Sequence, residues 1–231
     1  SFRVTAPCGT ETADRIVNAT TPCLPYSVPL TQNFDSWTAS STAALGDMCW
    51  GRKTNYSSGS TQYPYVTTSY SISPSNSMYM YSTSSSYSLL TLPRLNVSID
   101  SLQVTFGLLK TNTSYTHEIQ VGVMTDPEDI STFVPVATAI PSVGIYEWEM
   151  FEFPLSNYTG EDGHIALMSP DGVYSYPYLD ALEVNIIPTC PRPRNVNIPD
   201  ETITTTSAVV TWFDTNASSW VIEYGPVGFT R

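Results

Sequence analysis

An apolar residue at every second position, in one short segment after another, is the feature that most restricts what this chain can fold into. Leu102, Val104, Phe106 and Leu108 alternate with polar residues or Gly, as do Ile119, Val121 and Val123, and again Leu182, Val184 and Ile186. An extended chain points successive side chains to opposite faces, so each segment reads as a half-buried strand. Residues 77–82, 87–92 and 164–169 are shorter candidates. Between residues 146 and 155 the phase changes: Trp148 and Met150 hold one parity, and Phe151, Phe153 and Leu155 the other. That pattern predicts a β-bulge in mid-strand. Clusters such as Ser73-Pro74-Ser75-Asn76, Asp126-Pro127-Glu128-Asp129 and Ser169-Pro170-Asp171-Gly172 separate the strands with turn chemistry. No segment carries a helical period. An all-β fold follows, an antiparallel sandwich. The span from about 25 to 188 exceeds a seven-strand immunoglobulin-type unit and suits a jelly roll better.

Charge narrows the setting. Only 13% of residues are charged, while Ser and Thr make up roughly a quarter of the chain and 15 residues are Tyr. Such an uncharged, hydrogen-bonding surface fits a secreted or cell-surface β-protein. Nine basic residues against 21 acidic ones give a net charge of −12. A chain this acidic repels nucleic acid and anionic membrane surfaces, and it has no basic cluster to overcome that repulsion. No apolar run approaches the ~20 residues of a membrane-spanning helix. The opening Ser1-Phe2-Arg3-Val4-Thr5 lacks the regions of a signal peptide, so we expect a removed leader or an internal piece of a longer protein.

Composition shifts at Cys190-Pro191-Arg192-Pro193-Arg194, where two prolines stiffen a linker. Beyond it, Pro193-x-Asn195, then Thr205-Thr206-Ser207-Ala208-Val209-Val210-Thr211-Trp212, then Trp220-x-Ile222-Glu223-Tyr224-Gly225 resemble the first three strands of a fibronectin type III domain. Residues 1–9 look like the last strand and exit of a preceding domain of that type. In the middle, Asn33-Phe34-Asp35-Ser36-Trp37, Cys49-Trp50, Gln120-Val121-Gly122-Val123-Met124-Thr125-Asp126-Pro127 and Tyr178-Leu179-Asp180 resemble the MAM-like, cleaved-adhesin jelly rolls of Bacteroidetes surface proteins, including gingipain adhesin regions. The expected organisation is therefore a fibronectin-like tail and linker at 1–24, a MAM-like jelly roll at 25–190, and a partial fibronectin type III (immunoglobulin-like) sandwich at 191–231. The resemblance implies an exported setting and adhesion or glycan binding. A truncated three-strand module cannot close its own sandwich. Neighbouring modules of the same polypeptide, or another chain, are therefore expected to cover it.

The candidate site residues follow. The clusters Tyr63/Tyr65/Tyr70, Tyr79/Tyr81/Tyr87 and Tyr174/Tyr176/Tyr178 offer rings with an apolar face and a polar tip, suited to stacking on sugars. Tyr174, Tyr176 and Tyr178 beside the Ser-Pro-Asp-Gly turn, with Tyr63 and Tyr65, are the preferred ligand contacts. Alternation equally allows half of these rings to be ordinary core. Asp180 shares the parity of Leu182, Val184 and Ile186 and so should point to the core. In jelly rolls of the resembled kind, acidic residues where first and last strands meet often hold a structural Ca²⁺. Asp35 and Asp180 are the expected carboxylates. The alternative is that Asp180 accepts backbone N–H groups. Cys8, Cys23, Cys49 and Cys190 are disulfide candidates with three possible pairings.

Enzymatic signals are missing. Cys49-Trp50 is followed by no helix that would activate a thiol. Glu147, Glu149 and Glu152 read as solvation of an outer face rather than a glycosidase pair. His117 and His164 read as surface or strand-end residues. The expectation is a non-catalytic adhesion or glycan-binding module, with a structural spacer of a surface fibre as the alternative.

Overall fold

The computed structural model describes residues 2–8, 11–17, 23–57, 59–189, 194–213 and 219–226, with the backbone alone at 2–8, 11–17, 194, 195 and 213. Contacts divide the chain into two units, Ser1–Ile186 and Ile187–Arg231. The first begins with a hairpin of β1 (Phe2–Cys8) and β2 (Glu11–Val17), paired from Phe2 opposite Val17 to Cys8 opposite Glu11. Next come β3 (Leu30–Gln32), β4 (Gly51–Thr54), β5 (Tyr65–Thr67), β6 (Ser77–Tyr79) and β7 (Ser88–Thr91). They are followed by β8 (Leu102–Leu109), β9 (Ile119–Met124), β10 (Phe133–Ala139), β11 (Trp148–Pro154), β12 (His164–Ser169) and β13 (Tyr178–Ile186).

Two antiparallel sheets result, ordered β10-β9-β12-β7-β4 and β11-β8-β13-β6-β5, with β3 also on β13. Strands β6 to β13 are thus distributed as 6-13-8-11 and 7-12-9-10. That is the double Greek-key order of a jelly roll, as the sequence led us to expect. The alternating residues explain the arrangement. Leu102, Val104, Phe106 and Leu108 of β8, Ile119, Val121 and Val123 of β9, and Leu182 and Val184 of β13 are all buried in one core between the sheets. At one end of that core, Phe34, Trp37 and Trp50 form an edge-to-face chain, with centroids 5.5 and 5.4 Å apart. A disulfide joins Cys23 to Cys49, next to Trp50. Closing a loop of that length restricts the unfolded chain by about 3–4 kcal/mol. The side chains of Cys8 and Cys190 lie outside the described residues.

Two strand details differ from expectation. Strand β11 pairs with β8 without interruption, from Trp148 opposite Leu109 to Pro154 opposite Gln103, so it has no bulge. Phe151 and Phe153 pack against the core while Met150 is 53% exposed on the other face. The apparent phase change arose because both faces of this strand carry apolar groups. The bulges sit elsewhere, between Asp180 and Glu183 on β13 and between Pro135 and Ala137 on β10. Strand β10, which alternation did not reveal, lies at a sheet edge where Pro135 is tolerated.

In the second unit, β14 (Arg194–Asn197) pairs with β15 (Thr211–Phe213). The second of the three expected strands, residues 205–212, is shortened to β15. Thr204 and Ser207 instead close a local turn, with Thr204 N donating to Ser207 O and Ser207 N to Thr204 Oγ1. Side-chain bonds of this kind compete with a strand ladder. Residues 219–225 form no strand. Trp220 meets Trp212 edge-on at 5.6 Å, whereas Val209, Ile222 and Tyr224 are 53%, 55% and 93% exposed.

The face assignment of the central sheet is testable by denaturant unfolding. Phe106→Ala, at a fully buried ring beside Phe151 and Phe153, should cost about 3–5 kcal/mol. Met150→Ala should cost under about 1 kcal/mol. Equal losses would mean that the two faces are misassigned.

Candidate binding face

Register across the second sheet places a row of large side chains on its outer side. Trp148 lies opposite Leu109, Leu109 opposite Tyr178, Tyr178 opposite Tyr79, and Tyr79 opposite Tyr65. Four strand spacings make this row about 19 Å long. Just outside three of its strands stands a second tyrosine, Tyr63 before β5, Tyr81 after β6 and Tyr176 before β13, and ring contacts place each beside its neighbours. Tyr63 and Tyr65, Tyr81 and Tyr79, and Tyr176 and Tyr178 therefore form a grid of six rings. One rank, Tyr63–Tyr81–Tyr176, is stacked with centroids 4.6 and 5.0 Å apart. The other, Tyr65–Tyr79–Tyr178, is tilted at 5.4 and 4.9 Å. Further rings extend it: Tyr56 contacts Tyr63 and Tyr81, Tyr115 and Tyr174 contact Tyr176, and Tyr70 joins Tyr178 to Tyr146.

None of these rings belongs to the core; all are half-buried or exposed. Tyr174, Tyr176, Tyr178, Tyr63 and Tyr65 thus fall on one surface, and the sequence clusters join into one set. Tyr87 is the exception, packing against a small second cluster with Leu89, Met124 and Ala166. The hydroxyls are held neutral. Burial and neighbouring tyrosines raise the pKa of Tyr63, Tyr79 and Tyr178, and burial raises that of Tyr65. Burial chiefly raises those of Tyr81 and Tyr176 as well. The face offers apolar rings with uncharged donors and acceptors.

Two buried polar groups shape its margins. His117 is fully buried rather than superficial. Its Nε2 lies 3.1 Å from the Asn112 carbonyl, and its Nδ1 accepts the Tyr176 N–H at 3.3 Å. Burial lowers its pKa, against the opposing pull of the Asn112 bond.

Asp180 is the second group. The bulge, with Ala181 at φ 52°, reverses its direction: Leu179 and Leu182 enter the core, and Asp180 faces the outer side. The expected parity with Leu182 and Val184 fails for that reason. There Asp180 accepts N–H groups from Ile72 at 2.7 Å and Ser73 at 3.3 Å on one oxygen, and from Ala181 at 2.6 Å on the other. Ser73 Oγ in turn donates to Asp35, which also accepts from Asn33 Nδ2 and Asn76 N. Buried Asn76 donates to the carbonyls of Phe34 and Trp37. The two carboxylates are therefore brought to one loop, bridged by Ser73.

As a Ca²⁺ site the pair fits poorly. Each of the four carboxylate oxygens already accepts a hydrogen bond, and no group of three or more metal-ligating residues occurs among the described residues. Burial raises the Asp180 pKa, the three N–H donors oppose this, and the charge of Asp35 adds to it. Elsewhere, Glu149 and Glu147 accept N–H groups of Ser142, Val143 and Gly144, holding a turn rather than forming a catalytic pair.

Asp180→Asn leaves at least one of three N–H donors without an acceptor and should lower stability by about 1–3 kcal/mol in denaturant unfolding. The folded state holds the Asp180 proton more tightly than the unfolded chain does. Stability from this group is thus present below the ordinary Asp pKa and lost as pH rises through the raised value. Asp180→Asn should flatten that slope. EDTA should leave the melting temperature unchanged; a fall would restore the Ca²⁺ expectation. The tyrosine grid titrates with the same sign. Stability should fall above pH ~10, where unfolded tyrosines ionise first. Absorbance at alkaline pH should count fewer ionised tyrosines before unfolding than after it.

No protein-family model matches the chain, and no curated protein matches it. Among solved structures it is similar to a cleaved adhesin domain of Lys-gingipain from Porphyromonas gingivalis, at 13% identity and TM-score 0.49, over 70% of this chain and 99% of that one. It is similar to the CBM22-1 xylan-binding domain from Paenibacillus barcinonensis, at 13% identity and TM-score 0.46, over 70% and 95%. It is also similar to a family 11 carbohydrate-binding module from Clostridium thermocellum, solved with a β-1,3-1,4-mixed-linked tetrasaccharide. There the identity is 15% and the TM-score 0.37, over 61% and 90%.

Proposed function

We propose that this chain is a non-catalytic module of a secreted or cell-surface protein and that its tyrosine face binds a glycan. The observation that carries this reading is the grid of six neighbouring rings on the outer side of one sheet. Aromatic rings left half-exposed in a row sacrifice burial that a core position would give them, unless a ligand supplies it. Their hydroxyls stay neutral, which suits the hydrogen-bonding edges of an uncharged sugar. The sugar-poor alternative, a spacer, requires no such surface. The Cys23–Cys49 disulfide supports an oxidising compartment. The exposed apolar residues of the second unit support a covering partner, from the same polypeptide or another chain.

Isothermal titration against a panel of soluble β-linked oligosaccharides tests the reading. Binding should be weakened at least tenfold by Tyr81→Ala or Tyr178→Ala, each removing a ring from the grid. It should be unchanged by Tyr224→Ala, in the second unit. A panel without binding would leave the spacer role. Binding indifferent to both grid variants would place the site elsewhere.

A further inference from the structure

At the side of the sandwich where the edge strands β4 and β5 lie, the chain forms a hollow of about 460 Å³. Arg52, Lys53, Tyr56, Gln62, Tyr63 and Tyr87 are among the residues that line it, and no Asp or Glu does so among the described residues. Tyr56 and Tyr63 also belong to the tyrosine face, so the hollow and the face are continuous.

Arg52 is the unusual member. It stands opposite Leu90 of β7, on the core-facing side of β4. Its guanidinium donates to the carbonyls of Pro64 at 3.2 Å and Ala43 at 2.5 Å. Neighbouring Lys53 is paired with Glu128 at 2.8 Å, whereas Arg52 has no carboxylate partner among the described residues. A chain with 21 acidic residues against nine basic ones has thus left a half-buried guanidinium with neutral acceptors only. Burying a cation without an anion is costly, and that cost has lowered its pKa. A guanidinium carries five N–H donors, more than its two carbonyl bonds use.

We infer that this hollow is an anion subsite of the tyrosine face, taking the carboxylate of a uronic acid residue in a largely neutral glycan. The inference rests on the glycan-binding reading and sharpens its substrate class. The planar fork of Arg52 matches a carboxylate bidentately, and such a bond gives the unpaired charge its missing partner. The glycan must be mostly neutral because a net charge of −12 repels a polyanion. At physiological ionic strength that repulsion is screened beyond about 8 Å, so an isolated carboxylate in the hollow feels mainly Arg52 and Lys53, the latter already paired with Glu128.

The test compares glucuronoxylan, gum arabic and xanthan oligosaccharides with the same materials after chemical reduction of the uronic acid to its neutral sugar. Isothermal titration is run on the intact chain, Tyr81→Ala, and Arg52→Lys, which keeps the charge and removes the fork. At least one acidic form should bind tenfold or more tightly than its reduced counterpart. Arg52→Lys should erase that preference while sparing the reduced form. If Arg52→Lys fails to fold, the acid-to-reduced ratio on the intact chain decides by itself. Equal affinities for both forms, lost together in Tyr81→Ala, would overturn the anion subsite and leave the tyrosine face standing. An acid preference unaffected by Tyr81→Ala would keep the subsite and detach it from the face. No binding of any form would overturn both.

Discussion

The outer face of the jelly roll depends on one buried carboxylate. Asp180 sits where β13 bulges, between the stretch paired with β6 and the stretch paired with β3. Three N–H groups converge on it, two of them from Ile72 and Ser73 of a loop far away in sequence. Burying that carboxylate is costly, and the three N–H bonds offset the cost only in part, so its pKa stays raised. What the arrangement secures is position. Ile72 is drawn over Gly107, where an added Cβ would come within 2.5 Å of its Cδ1. Tyr70, two residues upstream, is set against Tyr178 and Tyr146. A charge hidden under the loop thereby fixes one margin of an aromatic surface above it. At the opposite margin, buried His117 plays a similar part by accepting the Tyr176 N–H.

The grid itself needs no special device. Pairing of β5, β6 and β13 sets the rank Tyr65–Tyr79–Tyr178, because neighbouring strands lie about 4.8 Å apart, and the rank Tyr63–Tyr81–Tyr176 follows on the residues just outside those strands. Such spacing brings ring centroids into the 4.5–7 Å range where tilted and offset-stacked pairs attract. The same pairing carries a row across the sheet, from Trp148 through Leu109 to Tyr65. On the reading proposed above, this ring-lined strip, continuous with the hollow that holds Arg52, would take an extended, weakly acidic ligand.

Much of this was legible in the sequence, in uneven measure. Strands β8, β9, β12 and β13 followed from alternation, because alternate residues of each enter the main core. The tyrosine clusters were visible too, but not their union, since which strands become neighbours is decided by topology. Strand β10 escaped notice because Pro135 and its bulge interrupt the period at a sheet edge. Asp180 was placed on the wrong face because a single inserted residue inverts parity, and nothing local to Leu179-Asp180-Ala181-Leu182 announces the insertion. β11 misled in the opposite direction, with apolar residues on both faces imitating a bulge that is absent. Arg52 gave no signal at all. Its significance is that no carboxylate among the described residues pairs with it, which only the fold reveals.

The central claim is that ligand contacts gather on the tyrosine grid. The most direct measurement is a tyrosine-ring proton–carbon NMR spectrum of the ring-labelled protein, recorded during titration with a bound oligosaccharide. The account predicts shifts confined to the rings of Tyr63, Tyr65, Tyr79, Tyr81, Tyr176, Tyr178 and their immediate neighbours, with Tyr158 and Tyr224 unmoved. Shifts at Tyr158 or Tyr224 while the six rings stay still would contradict it.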